Sequence, residues 1–334
     1  MMSGSHEELA IITLDDIKLA QERLRGVAVR TPLIACPREP NEQELFFKPE
    51  SLQPIGSFKL RGAYNKIAGL SDQERRRGVI TYSSGNHAQG VAYAARAMGV
   101  KSVIVMPRNA PRIKQESTAA LGAEIVFVGP ASSERQARAE ELAREHGYVV
   151  VPPYNDQDII AGQGTIGLEI LADLPDVDTV LVPVGGGGLI SGVSTAIKLS
   201  GARARVIGVE PELAADAQAS LRCGKIVEFP AEKTSQTLAD GLRTQSVGAI
   251  PFEHISRFVD DIITVTESEI LEAMRRAVLN AKLVAEPSGA VAFAAFLFHS
   301  GQLPRSAKTV AVISGGNVEP ALLARVLSEP VVSG

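Results

Sequence analysis

The sequence predicts an α/β protein of two lobes, each built on a mostly parallel sheet flanked by helices. Three observations carry this reading. Between Gly78 and Val151 short apolar runs and amphipathic stretches alternate as βαβαβα, the order that gives a parallel sheet with right-handed crossovers. After Pro152-Pro153-Tyr154 the alternation resumes and reaches a late apolar run at 309–313. The 334 residues, 45% hydrophobic and 22% charged, suffice for two globular lobes. The stretch before Gly78 is read as sharing its sheet with the later segment. The expected division is therefore 1–77 with 156–334 as a discontinuous large domain, and 78–155 as a small one.

Taken in order, Thr13-Leu14-Asp15-Asp16 has the form of a capping box, opening a helix striped by Ile17, Ala20 and Leu24 and ended by Gly26. A short strand at 44–48 leads through the 49–56 loop into a helix that runs to Leu70 and carries Lys59 near its start. The small domain has strands at 79–82, 102–106 and 124–128 and helices at 87–98, 112–121 and 133–145. Beyond it follow a helix at 159–171, a strand at 179–184, a helix at 189–199, and strands at 206–209 and 309–313. The tail after Ala324 carries only a weak pattern.

Composition excludes several classes. A net charge of −4, with 34 basic and 38 acidic residues intermixed and no Trp, argues against a nucleic-acid partner. The longest apolar runs, such as 283–285 and 290–298, are too short or too interrupted to span a bilayer, so no membrane partner is expected. Cys36 and Cys223 alone give neither a disulfide framework nor a cysteine zinc site, and both are expected as buried small residues. With Glu7 and Glu8 where an export signal would have a basic start, a reducing cytoplasm is the expected setting.

Two features point to a small-molecule site. Gly185, Gly186, Gly187 and Gly188 follow the apolar 179–184 run and open a helix, where free backbone amides and the helix dipole can hold a phosphate. Lys59, in Ser57-Phe58-Lys59-Leu60-Arg61-Gly62-Ala63, offers an amine that can condense with an aldehyde. Pyridoxal 5'-phosphate carries both groups. A lysine at a helix start is ordinarily solvated. The glycines also match part of a dinucleotide G-x-G-x-x-G, with Glu210 about twenty residues on, but its third glycine is Ser191 and it leaves Lys59 without a role. A P-loop would need Lys-Ser or Lys-Thr after the glycines, which is absent.

Those two motifs occur in one order with Ser83-Ser84-Gly85-Asn86-His87-Ala88-Gln89-Gly90, Glu286-Pro287-Ser288-Gly289-Ala290 and Ser314-Gly315-Gly316-Asn317. From about Leu14 to Leu323 the chain thereby resembles the serine/threonine dehydratase and serine racemase family, fold-type II pyridoxal-phosphate enzymes of the tryptophan synthase beta superfamily. The resemblance implies that Lys59 binds the cofactor covalently, with Phe58 against the ring and Asn86 on the phenolic oxygen. It gives the phosphate to Gly185, Gly186, Gly187 and Gly188, the pyridine nitrogen to Ser314, and adds Gly241 and Glu286 to the cofactor-binding set. Ser83, Ser84, Asn86 and His87 would cradle the substrate carboxylate, His87 chiefly as a supporting hydrogen bonder. Ser84 would also be catalytic, exchanging a proton on the face opposite Lys59.

Arg135 lies where a second carboxylate could be held, although the charged 134–144 helix also reads as a solvated face. Leu242, Arg243 and Thr244 are expected near the substrate's β-substituent. Glu210, Ala214 and Asp216 match the divalent-metal site of racemase-like members, implying Mg²⁺, or Ca²⁺ or Mn²⁺, in a structural role; acids after a strand are otherwise simply solvated. The implied activity is an L-threonine/L-serine ammonia-lyase acting as a homodimer on a small β-hydroxy amino acid. Serine racemase and 3-hydroxyaspartate ammonia-lyase are the alternatives.

Overall fold

Strand Thr179–Pro183 is buried along its whole length, as a parallel strand covered by helices on both faces must be. It lies inside a six-stranded sheet ordered Ile34–Ala35, Glu44–Pro49, Lys308–Ile313, Thr179–Pro183, Arg205–Pro211, Asp261–Val265. The first pairing is antiparallel and the others parallel. A second, four-stranded sheet, wholly parallel, runs Glu124–Val128, Ser102–Pro107, Val79–Thr81, Val149–Val150. The computed structural model describes residues 11–36, 43–83, 85–108, 110, 112–129, 132–305 and 307–328. It is an α/β protein with helices on the faces of mostly parallel sheets.

Alternation along the strands divides the large core in two. Val180, Val182 and Val206 pack with Ile166, Ile190 and Val193 from helices Gln157–Asp173 and Gly188–Leu199. Leu181, Ile207 and Val209 face Met274 and Phe293 from helices Glu267–Ala281 and Pro287–Phe298. The capping box forms as the sequence predicts: the Asp16 amide donates to Thr13 Oγ1 at 3.2 Å and the Thr13 amide to Asp16 Oδ2 at 2.8 Å. Among the described residues no helix is long and apolar enough to cross a membrane.

Two expectations are corrected and one strand is added. Cys223 is exposed and Cys36 only half-buried, because the Asp216–Cys223 helix buries Ala217 and Ser220 and turns its C-terminal cysteine outward. Helix Pro320–Ser328 continues past Ala324, anchored by buried Val326. Strand Asp261–Val265, which closes one edge of the large sheet, begins on the second of two aspartates and was not expected, although Ile262-Ile263-Thr264-Val265 is a β-branched run.

The helix bearing Lys59, Lys59–Gly69, is fixed by backbone proximity and by buried charge. A Cβ on Gly162 would lie 2.6 Å from the Gly62 Cα, so both helices need glycine where they cross. Arg61 is 1% exposed and grips Glu50 through Nε and Nη2 at 2.7 and 2.8 Å, and Glu169 through Nη1 and Nη2 at 2.7 and 2.9 Å. Lys48, also fully buried, donates to Glu169 at 2.6 Å and to the Thr31 carbonyl at 2.6 Å. Burial alone would push the Glu50 carboxyl up, but the Arg61 guanidinium outweighs it and holds the group below the usual carboxylate range. Arg61→Met is expected to cost ~3–5 kcal/mol of unfolding free energy in urea, since it strands a buried carboxylate. A loss below ~1 kcal/mol would equate the network with an exposed ion pair.

Candidate active site

Lys59 opens its helix directly after a point where two chain segments meet. Ser57 bridges Gly315, and the Phe58 amide donates to the Ser314 carbonyl at 3.1 Å, so the end of strand Lys308–Ile313 sets the helix's first turn. The Lys59 amine lies 5.1 Å from the Phe58 ring centre and donates to the Pro153 carbonyl at 2.7 Å. Part of the side chain borders open space, yet the amine itself is densely surrounded by protein. Desolvation, with no carboxylate to oppose it, brings the amine down to about 8.

The residue after Pro153 reaches the glycine loop. A Cβ on Gly186 would fall 2.3 Å from the Tyr154 ring, and one on Gly187 2.7 Å from Pro251. Gly187 has φ +91° and precedes helix Gly188–Leu199, whose start has no side-chain cap. Its first amides are thus left for an anion. On the other side of the loop, the Gly241 carbonyl lies 3.1 Å from where a Gly185 Cβ would stand, and the Gly241 amide donates to Ser288 Oγ at 2.9 Å. Ser314 Oγ donates to the Ser288 carbonyl at 3.4 Å.

Asn86, the first residue of helix Asn86–Ala97, joins the two sheet units. Its Nδ2 donates to Glu286 Oε1 at 2.6 Å and its Oδ1 accepts from Asn317 Nδ2 at 2.8 Å. One Nδ2 proton stays available to a bound group. Glu286 is 2% exposed; burial and the neighbouring Asp240 charge push its carboxyl up to about 8, against the pull of Lys114 and Asn86. His87 is buried with Nε2 3.0 Å from the Val151 carbonyl, and desolvation, helped by Lys59, drives its pKa down to about 3, so the ring is neutral. That suits a supporting hydrogen bonder. Ser83 Oγ accepts from the Gly85 amide at 3.3 Å. Ser84 lies outside the described residues.

Arg135 is half-buried in the first turn of helix Ser132–His146, and desolvation lowers its pKa. Leu242 is buried against Gly185, whereas Arg243 directs its guanidinium to the Thr237 carbonyl at 2.6 and 2.8 Å. Glu210 and Asp216 are both fully buried. Glu210 accepts from the Ala217 and Gln218 amides at 3.0 and 2.8 Å, while among the described residues neither Asp216 carboxylate oxygen has a partner at full hydrogen-bond geometry and only the Asp216 and Val247 backbone amides oppose its burial. Burial pushes both carboxyls up, Asp216 to about 7. Two desolvated acids beside the buried Ala214 fit a hard cation. Among the described residues no three His, Cys, Asp or Glu side chains gather into a metal cluster, so a third ligand would have to be a backbone oxygen or water.

Sequence reasoning missed Tyr154 and Pro153, which join the amine to the glycine loop. The only available signal was their position at the junction of the two α/β runs.

The profile of the pyridoxal-phosphate dependent enzyme family matches residues 24–315. The chain is 47% identical over 325 residues to the L-threonine ammonia-lyase of Thermotoga maritima, covering 96% of this chain and 80% of that protein. It is 42% identical over 316 residues to the catabolic L-threonine dehydratase TdcB of Escherichia coli, covering 92% and 94%. The structure of maize serine racemase superposes with a TM-score of 0.90 at 37% identity, covering 95% of this chain and 97% of that one.

With its amine near 8, cofactor-free protein should capture pyridoxal phosphate at a rate that rises with pH to a midpoint near 8 and then levels off. A midpoint near 10.5, the ordinary lysine value, would mean that the amine is solvated. Gly186→Val should displace Tyr154 and weaken cofactor retention in equilibrium dialysis. Unchanged affinity would put the phosphate elsewhere.

Proposed function

Because the chain belongs to the pyridoxal-phosphate dependent enzyme family, we propose that it is an L-threonine/L-serine ammonia-lyase, eliminating water from the amino acid to give 2-oxobutyrate or pyruvate plus ammonia. The observation that carries this reading is a desolvated amine with no carboxylate partner, Lys59, joined through Pro153-Tyr154 to a glycine loop that opens a helix. The high identity to two threonine-deaminating enzymes supports the substrate class. In this reading residues 1–77 and 156–334 form the cofactor-binding domain and 78–155 the small domain, and the protein works as a homodimer in the cytoplasm.

Bound cofactor would supply an aldehyde to condense with amines and a ring to accept the electron pair left when a Cα–H bond breaks. Lys59 would hold the cofactor and, as a free amine, would take the Cα proton. An amine titrating near 8 is largely neutral at mildly alkaline pH, and donation to the Pro153 carbonyl leaves its lone pair for that proton. Phe58 would lie against the ring, Asn86 would donate a hydrogen bond from its spare Nδ2 proton to the phenolic oxygen, and Gly185, Gly186, Gly187 and Gly188 would hold the phosphate. Ser314 would meet the pyridine nitrogen; a hydroxyl there cannot give up a proton as a carboxylic acid does, which would favour elimination over transamination. Gly241 and Glu286 complete the cofactor wall. Ser83, Ser84 and the Asn86 backbone amide, backed by neutral His87, would receive the substrate carboxylate. Arg135 would hold the second carboxylate of a 3-hydroxyaspartate.

Glu210, Asp216 and the Ala214 carbonyl would hold Mg²⁺, or Ca²⁺ or Mn²⁺, as a structural ion that neutralises two buried acids. A chelator should then lower the melting temperature of the wild-type protein but not of Glu210→Ala. Equal melting with and without chelator in the wild type would make both acids plain buried carboxyls.

Lys59→Ala should release no ammonia from any substrate while remaining folded. For the wild type, L-threonine, L-serine, D-serine and both 3-hydroxyaspartates should be assayed for oxo acid and for inverted enantiomer. Stoichiometric 2-oxobutyrate and ammonia from L-threonine is the expected result. Inversion without oxo acid would replace the lyase by a racemase, and Ser84→Ala would then abolish the inversion, with a loss of ~10²–10⁴-fold typical for removing a proton-transfer group.

A further inference from the structure

Each residue of Pro153-Tyr154-Asn155-Asp156 holds a different part of the molecule. The Pro153 carbonyl takes the Lys59 amine, the Tyr154 ring covers Gly186, and Asp156 caps helix Gln157–Asp173 while pairing with Lys66 at 2.8 Å. Asn155, exposed between them, reaches to another element: its Oδ1 accepts from the Ile250 amide at 3.0 Å. Ile250 is the second residue of helix Ala249–Phe258, whose own N-cap, Gly248, has no side chain to offer. The third residue, Pro251, has no amide to cap. Asn155 thus supplies from a distant segment the hydrogen bond that a Ser, Asp or Asn at 248 would supply locally. Only glycine fits at 248 beside it, since a Cβ there would lie 2.8 Å from Asn155 Oδ1.

Helix Ala249–Phe258 backs the glycine loop. The Gly248 amide donates to the Gly186 carbonyl at 3.1 Å, and Ser191 Oγ, in the first turn of helix Gly188–Leu199, donates to the Pro251 carbonyl at 3.2 Å. Pro251 and Ile255 fill the space beside Gly187, where a Cβ would stand 2.7 and 3.0 Å from them. The peptide between Gly186 and Gly187 is trans, so its carbonyl and its amide point in opposite directions. With the carbonyl pinned to Gly248, the Gly187 amide is turned away from Gly248. The aim of that amide is therefore set by where Gly248 stands, and Asn155 fixes the helix start to which Gly248 belongs.

We propose that Asn155 is a positioning residue for the phosphate end of the cofactor. By capping helix Ala249–Phe258 it holds the Gly248 amide on the Gly186 carbonyl and so aims the Gly187 amide at the anion. Asn155 touches no reacting atom and takes no part in proton transfer. Its effect is confined to the phosphate, because the Lys59 amine is held separately, by the Pro153 carbonyl and by the helix that Arg61 anchors. The proposal rests on the reading of the glycine loop as the phosphate site.

The test compares pyridoxal phosphate with pyridoxal, which offers Lys59 the same aldehyde and lacks the phosphate. Asn155→Ala should bind pyridoxal phosphate about 3- to 20-fold more weakly than the wild type in equilibrium dialysis, the range that loss of a helix cap gives. Capture of pyridoxal by the same variant, fixed with borohydride and counted by mass spectrometry, should match the wild type. Asn155→Asp keeps an acceptor oxygen for the Ile250 amide and should restore pyridoxal phosphate affinity to within about 2-fold. Unchanged pyridoxal phosphate affinity in Asn155→Ala overturns the proposal. So does an equal loss for both aldehydes, which would make Asn155 a general support of the fold, and so does a loss that Asn155→Asp fails to restore. If the wild-type protein binds pyridoxal phosphate no better than pyridoxal, the glycine loop is not the phosphate site and the proposal falls with that reading. If it binds the cofactor but deaminates neither L-threonine nor L-serine, only the lyase reading fails, and the two affinities still decide the role of Asn155.

Discussion

The Arg61 guanidinium, held on two sides by Glu50 and Glu169, is the contact on which the site's geometry depends. It stands two residues beyond Lys59 on the same helix, so whatever fixes Arg61 also fixes the start of that helix. Glu50 comes from the turn after strand Glu44–Pro49 and Glu169 from helix Gln157–Asp173, so one side chain joins three elements, one of them 108 residues away. Lys48 supplies the second positive charge, and the four groups balance two against two in a region closed to water. Such a network gains little over a well-packed apolar core in raw stability. Its strength lies in direction, because each pairing has a fixed geometry that a greasy contact lacks.

That direction matters because the site's chemistry relies on desolvation at particular atoms. Lys59, His87 and Glu286 are all driven toward their neutral forms by burial. Lys48 is buried too and its pKa is lowered, but Glu169 binds it and it cannot act as a free amine. Lys66 lies one helical stretch away and is the opposite case: its carboxylate partners Asp156 and Asp158 overcome desolvation and keep it firmly charged. Reactivity therefore follows from what stands beside each amine, and Lys59 faces a carbonyl where its neighbours face acids.

Much of this was legible in the sequence. The βαβ alternation, the Thr13 cap and the glycine run after an apolar strand are local patterns, and local patterns survive folding. Asn86, Glu286 and Ser314, the residues proposed to bind the cofactor, were reached through motif resemblance, since nothing in their spacing brings residues two hundred positions apart together. The Lys48, Glu50, Arg61 and Glu169 network escaped because buried charge reads in a sequence like surface charge. Cys223 was misjudged for the converse reason: a residue type usually buried sits at the outward end of a short helix. Nothing in the sequence marks Lys114 and Asp240 as partners, and only the packing of the two sheet units brings them together.

The most direct test of the account is to load the protein with pyridoxal phosphate, reduce it with borohydride, digest it and map the modified peptide by mass spectrometry. If desolvation without an acidic partner selects the reactive amine, the pyridoxyl label appears on Lys59 alone. A label on Lys48, Lys66 or Lys114 with Lys59 unmodified would contradict it.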